Sequence, residues 1–471
     1  MYRCSLLLIS LVTIAAEAQI SSFQHVIVIV QENRTPDNLF QGLCSSPGLC
    51  STTPTASQYN IQTKDWLDKS SPTGVTQPLT VALANKYDLD HSHRAFMSMC
   101  DTNTPPAGSC GMDGAAGIHC SGTCPKQPQY RYVDNANGIL NPYLALATQY
   151  GWANYMFQTN QGPSFPAHQF LFGGTSAPSL PDDKAGVFAS ENMSGTSKTA
   201  GCTAPEGTTV QLIRPPGVED ATDKVYPCFE HQTMPDVMPS TFTWRYYAPS
   251  PGSIWTAPNA IQHICESSGM GGQCQGQEWK NNVDLKPADV LTDIANCNLR
   301  SVSWVIPTGA NSDHARGNDG GGPSWVAAIV NAVGNSTGCD GNMGYWKNTA
   351  ILITWDDWGG WYDHEAPTIL AQPQGDYQYG FRVPLIAVSA YTPKGYINNV
   401  RHDFGSILRF VEHNFGIPQG ALTFADARAT TNLVGFFDLT RTPRDFVPIP
   451  APKTATFFLN DKRKATDPDD Q

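Results

Sequence analysis

The 471 residues, 40% hydrophobic and 10% aromatic, suffice for one large α/β domain or two ordinary ones, which excludes an intrinsically disordered chain. A formal net charge of −12 argues against nucleic acid or an anionic membrane as an electrostatic partner. It leaves an anionic substrate open, because a bound cation reverses the sign of the field locally.

The N-terminus has the layout of a Sec-type signal peptide. Arg3 is the basic start, Leu6 to Ala15 the apolar core, and Ala16-Glu17-Ala18 a cleavage site, so residues 1–18 are expected to leave. That apolar run is too short to span a bilayer and no later one approaches the length, so a secreted or periplasmic protein without a stable membrane anchor is expected. Cys4 leaves with the peptide, and 12 of the 13 cysteines remain, an even number in an exported chain. Disulfides follow. Cys44 is expected to close a small loop with Cys50, and Cys265 another with Cys274. Cys100, Cys110, Cys120 and Cys124 crowd one Gly/Pro-rich stretch. A zinc knuckle would want two close-spaced pairs, and only Cys120-x3-Cys124 comes near.

The first strand is His25 to Val30, five of its residues β-branched, which reads as a strand covered on both faces, as in a parallel sheet. It runs into Gln31-Glu32-Asn33-Arg34-Thr35. Such sheets carry their chemistry just past the carboxyl ends of the strands, and there Glu32 and Asn33 offer two hard oxygen ligands beside a base. Residues 43–130 are loop-rich. A helix is expected over 138–149. Gly162-Pro163-Ser164-Phe165-Pro166-Ala167-His168 follows, with Pro166 suited to a first helical turn and Ser164 near its start, a natural anion seat. Residues 174–240 read as an irregular insertion.

Order returns with a strand over 301–307, then Asp313-His314. A helix over 324–333 is expected with Ser324 as N-cap and Gly334 as C-cap. The strand 350–355 completes a β-α-β unit and ends in Asp356-Asp357-Trp358-Gly359-Gly360-Trp361-Tyr362-Asp363-His364. Two adjacent carboxylates repel and need a cation or several donors nearby. The glycines let backbone approach a ligand closely. A strand over 382–389 and a helix over 404–415, ending at Gly416, complete the regular elements. No linker divides residues 23–445. The segment from Pro448 reads as a proline-rich, then charged tail with a disordered end. The class is α/β with a mixed or parallel sheet and large loop insertions.

Three Asp-His neighbours stand out: Asp90-His91 with His93 close behind, Asp313-His314 and Asp363-His364. Such a pair fixes tautomer and basicity if its members touch.

Together the QENRT-x-DNLFQG, GPSFP, SDHA and WDDWGGWYDHEAP motifs resemble, in order from about Phe23 to the 404–416 helix, the bacterial phosphoesterase family of phosphatidylcholine-type phospholipases C and acid phosphatases. The resemblance implies an alkaline phosphatase-like three-layer sandwich with a mostly parallel central sheet and disulfide-stapled insertions. It implies a divalent metal, of unspecified identity, on Glu32, Asn33, Ser164, Asp356 and Asp357. It makes Ser164 the nucleophile and His314 the proton donor, and points to His93 over His91. This chain departs from the family's Pro-Asn-Arg at Pro166-Ala167-His168, so that a phosphate contact would pass to His168 or Arg34. It shortens a family Glu to Asp357 and lengthens the segment holding Cys100 and Cys110. It also shows neither the extra C-terminal β domains nor the twin-arginine signal of the larger phospholipases.

The expected organisation is a signal peptide over 1–18, a catalytic domain over 19–447 and a tail over 448–471. The expected activity is hydrolysis of phosphate esters through a phosphoserine, on a small phosphate ester or a phospholipid head group. Rival readings are a secreted metal-binding protein without turnover and a sulfate-ester hydrolase. The latter wants an arginine where His168 stands. Monoester or diester preference and oligomeric state are not encoded in these motifs.

Overall fold

A computed structural model describes residues 20–101, 110–191, 199–215, 217–341, 344–367, 379–422 and 424–466, so the expected signal segment lies outside the described residues. The β-branched run forms β1 (His25–Gln31). It is joined by β2 (Gly151–Phe157), β3 (Trp244–Tyr247), β4 (Val283–Asp284), β5 (Val302–Val305), β6 (Thr349–Trp355), β7 (Leu385–Val388) and β8 (Tyr396–Asp403). The sheet order is β4-β3-β5-β1-β6-β7-β2-β8. Only β7 runs antiparallel to its neighbours. The remaining pairs are parallel.

Every residue of β1 and β6 is buried, as strands covered on both faces require. The principal helices are α1 (His93–Met99), α2 (Asn141–Gln149), α3 (Ser164–Gly173), α4 (Gly322–Gly334) and α5 (Phe404–Phe415). Trp304 pairs with Val28 and Trp355 with Gln31. Positions three apart on β1 face opposite sides, so the two tryptophans do as well. Trp304 donates its indole N–H to the Leu171 carbonyl of α3 at 3.1 Å. Trp355 packs edge-on against Tyr143 of α2, with ring centroids 5.2 Å apart. Helices α3 and α5 are neighbours, as are α2 and α4. The result is a three-layer α/β sandwich.

Four strands, β2, β3, the two-residue β4 and β8, have no counterpart in the sequence reading. The helix expected at 324–333 begins earlier. Pro323 supplies a ready-made first-turn φ, so Gly321 is the N-cap, Ser324 lies inside the first turn, and Asn335 rather than Gly334 is the C-cap. At α5 the reading holds: Asp403 and Ser406 form a capping box and Gly416 closes the helix at φ 68°. The 174–240 insertion carries a small antiparallel sheet of Phe188–Ala189, Val210–Arg214 and Val218–Val225.

Residues 448–466 are docked on the body, and the end expected to be disordered lies outside the described residues. Ile449 and Phe458 are buried, Phe458 packs edge-on to Trp325, and the Ile449 backbone exchanges hydrogen bonds with the Asn331 amide. Six disulfides staple the loops: Cys44–Cys50, Cys100–Cys110, Cys120–Cys124, Cys202–Cys228, Cys265–Cys274 and Cys297–Cys339. Among the described residues no helix is long and apolar enough to cross a membrane.

Candidate active site

The β1–β6 register builds the centre. Gln31 pairs with Trp355, so the next residues, Glu32 and Asp356, emerge side by side past the strand ends. Asp356 N–H donates to the Gln31 carbonyl at 2.9 Å. Asn33 then turns sharply at φ 62°, a left-handed conformation that asparagine tolerates. That turn aims its backbone N–H at Asp356 Oδ1, 3.0 Å away. Gly359, at φ 63°, passes so close that a Cβ there would overlap the Asn33 carbonyl. Its N–H donates to Asp357 Oδ1 at 2.7 Å.

Ser164 is the first residue of α3, behind Pro163 as N-cap. Its hydroxyl donates to Asp357 Oδ2 at 3.1 Å. Glu32, Asn33, Ser164, Asp356 and Asp357 are thus brought together, all fully buried. Burial, and then the charge of Asp356, push the Asp357 carboxyl well above the usual carboxylate range. Asn33 Oδ1 and Asp356 Oδ2 accept no hydrogen bond among the described residues.

The histidines divide. His91 donates Nδ1–H to the Leu89 carbonyl at 2.7 Å, so its Nε2 accepts from the Asn33 amide at 3.0 Å and stands 4.0 Å from Asp357 Oδ2. His314 donates Nδ1–H to the Ala315 carbonyl at 2.7 Å, which makes Nε2 its basic nitrogen. The His314 ring centroid lies 5.9 Å from that of His91. His93 is not brought to the carboxylates. Its two ring nitrogens lie 3.0 Å from the carbonyls of Gln161 and Gly217, where it ties α1 to the 174–240 insertion. Burial lowers its pKa against the pull of those carbonyls.

None of the three Asp-His neighbours is a touching pair in the way the spacing suggested. Asp313 accepts from Tyr143 Oη at 2.8 Å and Trp355 Nε1 at 3.0 Å, and burial raises its pKa to about 6. His364 pairs with Asp37 at 2.7 Å, while Asp363 is bridged by the Arg382 fork. That acidic cluster already holds its cation in Arg382. Arg34 is committed as well, to the carbonyls of Asp313 and Leu83 and to Asn38, with its guanidinium over Trp361. It is fully buried in those contacts.

The motifs make His168 a candidate phosphate contact, whereas Glu191 escapes them altogether. His168, one turn after Ser164 on α3, brings Nε2 to 3.4 Å from Glu32 Oε1. Glu191 places Oε2 on the Phe165 N–H at the start of α3, at 2.8 Å, the position expected to seat an anion. Position along the chain gives no hint of the second contact, since Glu191 arrives from the insertion.

Such a donor set suits a divalent cation. Buried carboxylates without a counter-charge cost several kcal/mol each by general estimate. Among the described residues the centre has no lysine or arginine to supply that charge, Arg34 being turned away. Glu32, His168 and Asp356 offer ligand atoms within 4.8 Å of one another.

The sequence profile of the Phosphoesterase family matches residues 23–418. This chain belongs to that family. Phospholipase C A of Mycobacterium tuberculosis (strain H37Rv) is 23% identical over 439 residues, covering 86% of this chain and 75% of its own. Non-hemolytic phospholipase C of Burkholderia pseudomallei is 29% identical over 150 residues, 27% of this chain. The match spans 21% of the length of that relative. A solved protein of the alkaline phosphatase superfamily from Vibrio parahaemolyticus overlaps 59% of this chain and 61% of its own at 10% identity, with a TM-score of 0.31, too slight a likeness to argue from.

Proposed function

We propose that the protein is a secreted, metal-dependent phosphoric ester hydrolase that works through a phosphoserine at Ser164, on small phosphate esters or phospholipid head groups. The observation that carries this reading is the hydrogen bond from Ser164 Oγ to Asp357 Oδ2 at 3.1 Å, at a helix start beside Glu32, Asn33 and Asp356. Family membership and the likeness to phospholipases C support the substrate class. The paired cysteines and the N-terminal sequence support export of a mature chain in which residues 19–447 form the catalytic domain and 448–471 a tail.

Glu32, Asn33, Asp356, Asp357 and Ser164 would hold a divalent cation, which when bound lowers the pKa of a coordinated hydroxyl and offsets phosphoryl charge. Ser164 attacks phosphorus in line. Its Oγ–P bond forms as the bond from phosphorus to the alcohol oxygen breaks, and the hydroxyl proton has a route along the 3.1 Å contact to Asp357. His314, with its tautomer fixed by Ala315, protonates the leaving oxygen from Nε2 when it carries both protons. Water then hydrolyses the phosphoserine, with His314 acting in reverse. His91 orients Asn33. His93, expected from the resemblance to meet the phosphoryl group, serves on this reading as a brace between Gln161 and Gly217.

The test is p-nitrophenyl phosphate turnover with and without chelator, in the wild type and in Ser164→Ala, beside bis-p-nitrophenyl phosphate and p-nitrophenylphosphorylcholine. Chelator-sensitive turnover of at least one ester, abolished in a folded Ser164→Ala protein, supports the reading. Turnover of none of them by metal-loaded protein, or near-normal turnover in that variant, overturns it.

A further inference from the structure

His168 lies four residues after Ser164 on α3, on the same helix face, and is buried. Its Nδ1 stands 3.3 Å from Tyr246 Oη, which is itself 2.7 Å from the Trp255 carbonyl. A phenol has one proton, and that carbonyl can only accept, so Tyr246 spends its proton on Trp255 and accepts from His168. Nδ1 therefore carries the hydrogen, and in the neutral ring Nε2 carries the lone pair. Nε2 faces Glu32 Oε1 at 3.4 Å and Asp356 Oδ2 at 3.8 Å.

Both distances exceed the roughly 2.7–2.9 Å of a charge-assisted N–H···O bond. Donors bound at about 2.0–2.2 Å to one ion stand roughly 2.8–3.6 Å apart at octahedral to tetrahedral angles. The Glu32 separation falls inside that window, and the Asp356 separation just beyond it. The Tyr246 contact is also what a ligating imidazole needs: a hydrogen-bond acceptor on its other nitrogen that fixes tautomer and ring orientation.

We propose that His168 Nε2 is a nitrogen ligand of the cation held by Glu32 and Asp356. The centre then favours borderline ions such as Zn²⁺ or Fe²⁺ over the all-oxygen ions Ca²⁺ and Mg²⁺, with Mn²⁺, which accepts both donor types, between them. The proposal rests on the metal-dependent reading above and adds to it a ligand and a metal preference.

The experiment is pulsed EPR on the full chain loaded with Mn²⁺, with metal affinities by calorimetry for Mn²⁺, Zn²⁺ and Mg²⁺. The wild type should show ¹⁴N modulation from a directly bound imidazole. His168→Gln should lose it, with Mn²⁺ affinity falling at least about 10-fold and Mg²⁺ affinity falling less. Bound Mn²⁺ without imidazole modulation, or modulation that persists in His168→Gln, overturns the proposal and leaves the phosphoesterase reading standing. Failure of Mn²⁺, Zn²⁺ and Mg²⁺ to bind at all overturns both. Should the variant not fold, anomalous diffraction from Mn²⁺-loaded wild-type crystals decides. A metal peak within about 2.4 Å of Nε2 supports ligation, and one beyond about 3 Å refutes it.

Discussion

The Asn33 side-chain amide donates to His91 Nε2 at 3.0 Å, and His91 is itself fixed by donating Nδ1–H to the Leu89 carbonyl at 2.7 Å. This chain of two bonds decides which end of Asn33 faces the carboxylates. With its nitrogen committed to His91, Oδ1 is left as the donor atom of the amide. His91 is therefore a positioning residue.

His91→Ala should lower metal affinity and kcat/KM about 10- to 100-fold, the usual consequence of losing a ligand's hydrogen-bonded support. His93→Ala should act on stability instead, by roughly 1–3 kcal/mol, because it removes the buried ring set between the Gln161 and Gly217 carbonyls and takes away the one N–H that a neutral imidazole donates there. Calorimetric metal titration and thermal melts of both variants separate the two roles. The reverse pattern would return the phosphoryl contact to His93.

Glu191 occupies the Phe165 N–H that an anion at the start of α3 would use. Glu191→Ala should tighten inhibition by inorganic phosphate about 2- to 10-fold, in line with a charge effect at a helix terminus. The check is the inhibition constant with p-nitrophenyl phosphate as reporter. An unchanged or weaker constant would mean that phosphate binds elsewhere.

Away from the centre, His263 sits between Asp236, at 3.2 Å, and Glu230, at 2.7 Å, and the contact with Asp236 leads in raising its pKa from 6.5 to about 9. A group whose folded pKa is raised binds its proton more tightly when folded. Its contribution is full below pH 6.5 and is lost as pH climbs through about 9. The melting temperatures of wild type and His263→Gln should differ at about pH 6 and converge by roughly pH 10. A difference that does not change across that range would show that the pair adds no pH-dependent stability. The ring is part exposed, so solvent and salt weaken the effect.

How much of this was legible in the chain depends on range. The β-branched runs of β1 and β6 announce buried parallel strands, and their strand-end motifs announce oxygen ligands. The register that sets Glu32 beside Asp356 then follows from the two strands being neighbours. Cys44–Cys50 and Cys265–Cys274 were readable from short spacing, whereas Cys297–Cys339 needs the fold. Histidine partners were not readable. In Asp313-His314 and Asp363-His364 the adjacent side chains diverge, and the contacts come from Tyr143, Ala315 and Asp37. His91 and His93 lie two apart, yet one meets Asn33 and the other a distant loop, because helix α1 begins between them at the Ser92 cap. The strands β2, β3 and β8 lack the long aliphatic run that marks β1, and aromatic, polar and glycine residues interrupt their pattern.

The central claim is a covalent phosphoserine at Ser164, whose hydroxyl bonds to Asp357 at the buried cluster. It is tested most directly by acid quench of metal-loaded protein during turnover of ³²P-labelled substrate, followed by peptide mapping. The account predicts one labelled peptide with the phosphate on Ser164, absent from Ser164→Ala and from chelated protein. Active turnover with no trapped phosphoprotein, paired with near-normal rates in Ser164→Ala, would contradict it and assign the attack to water.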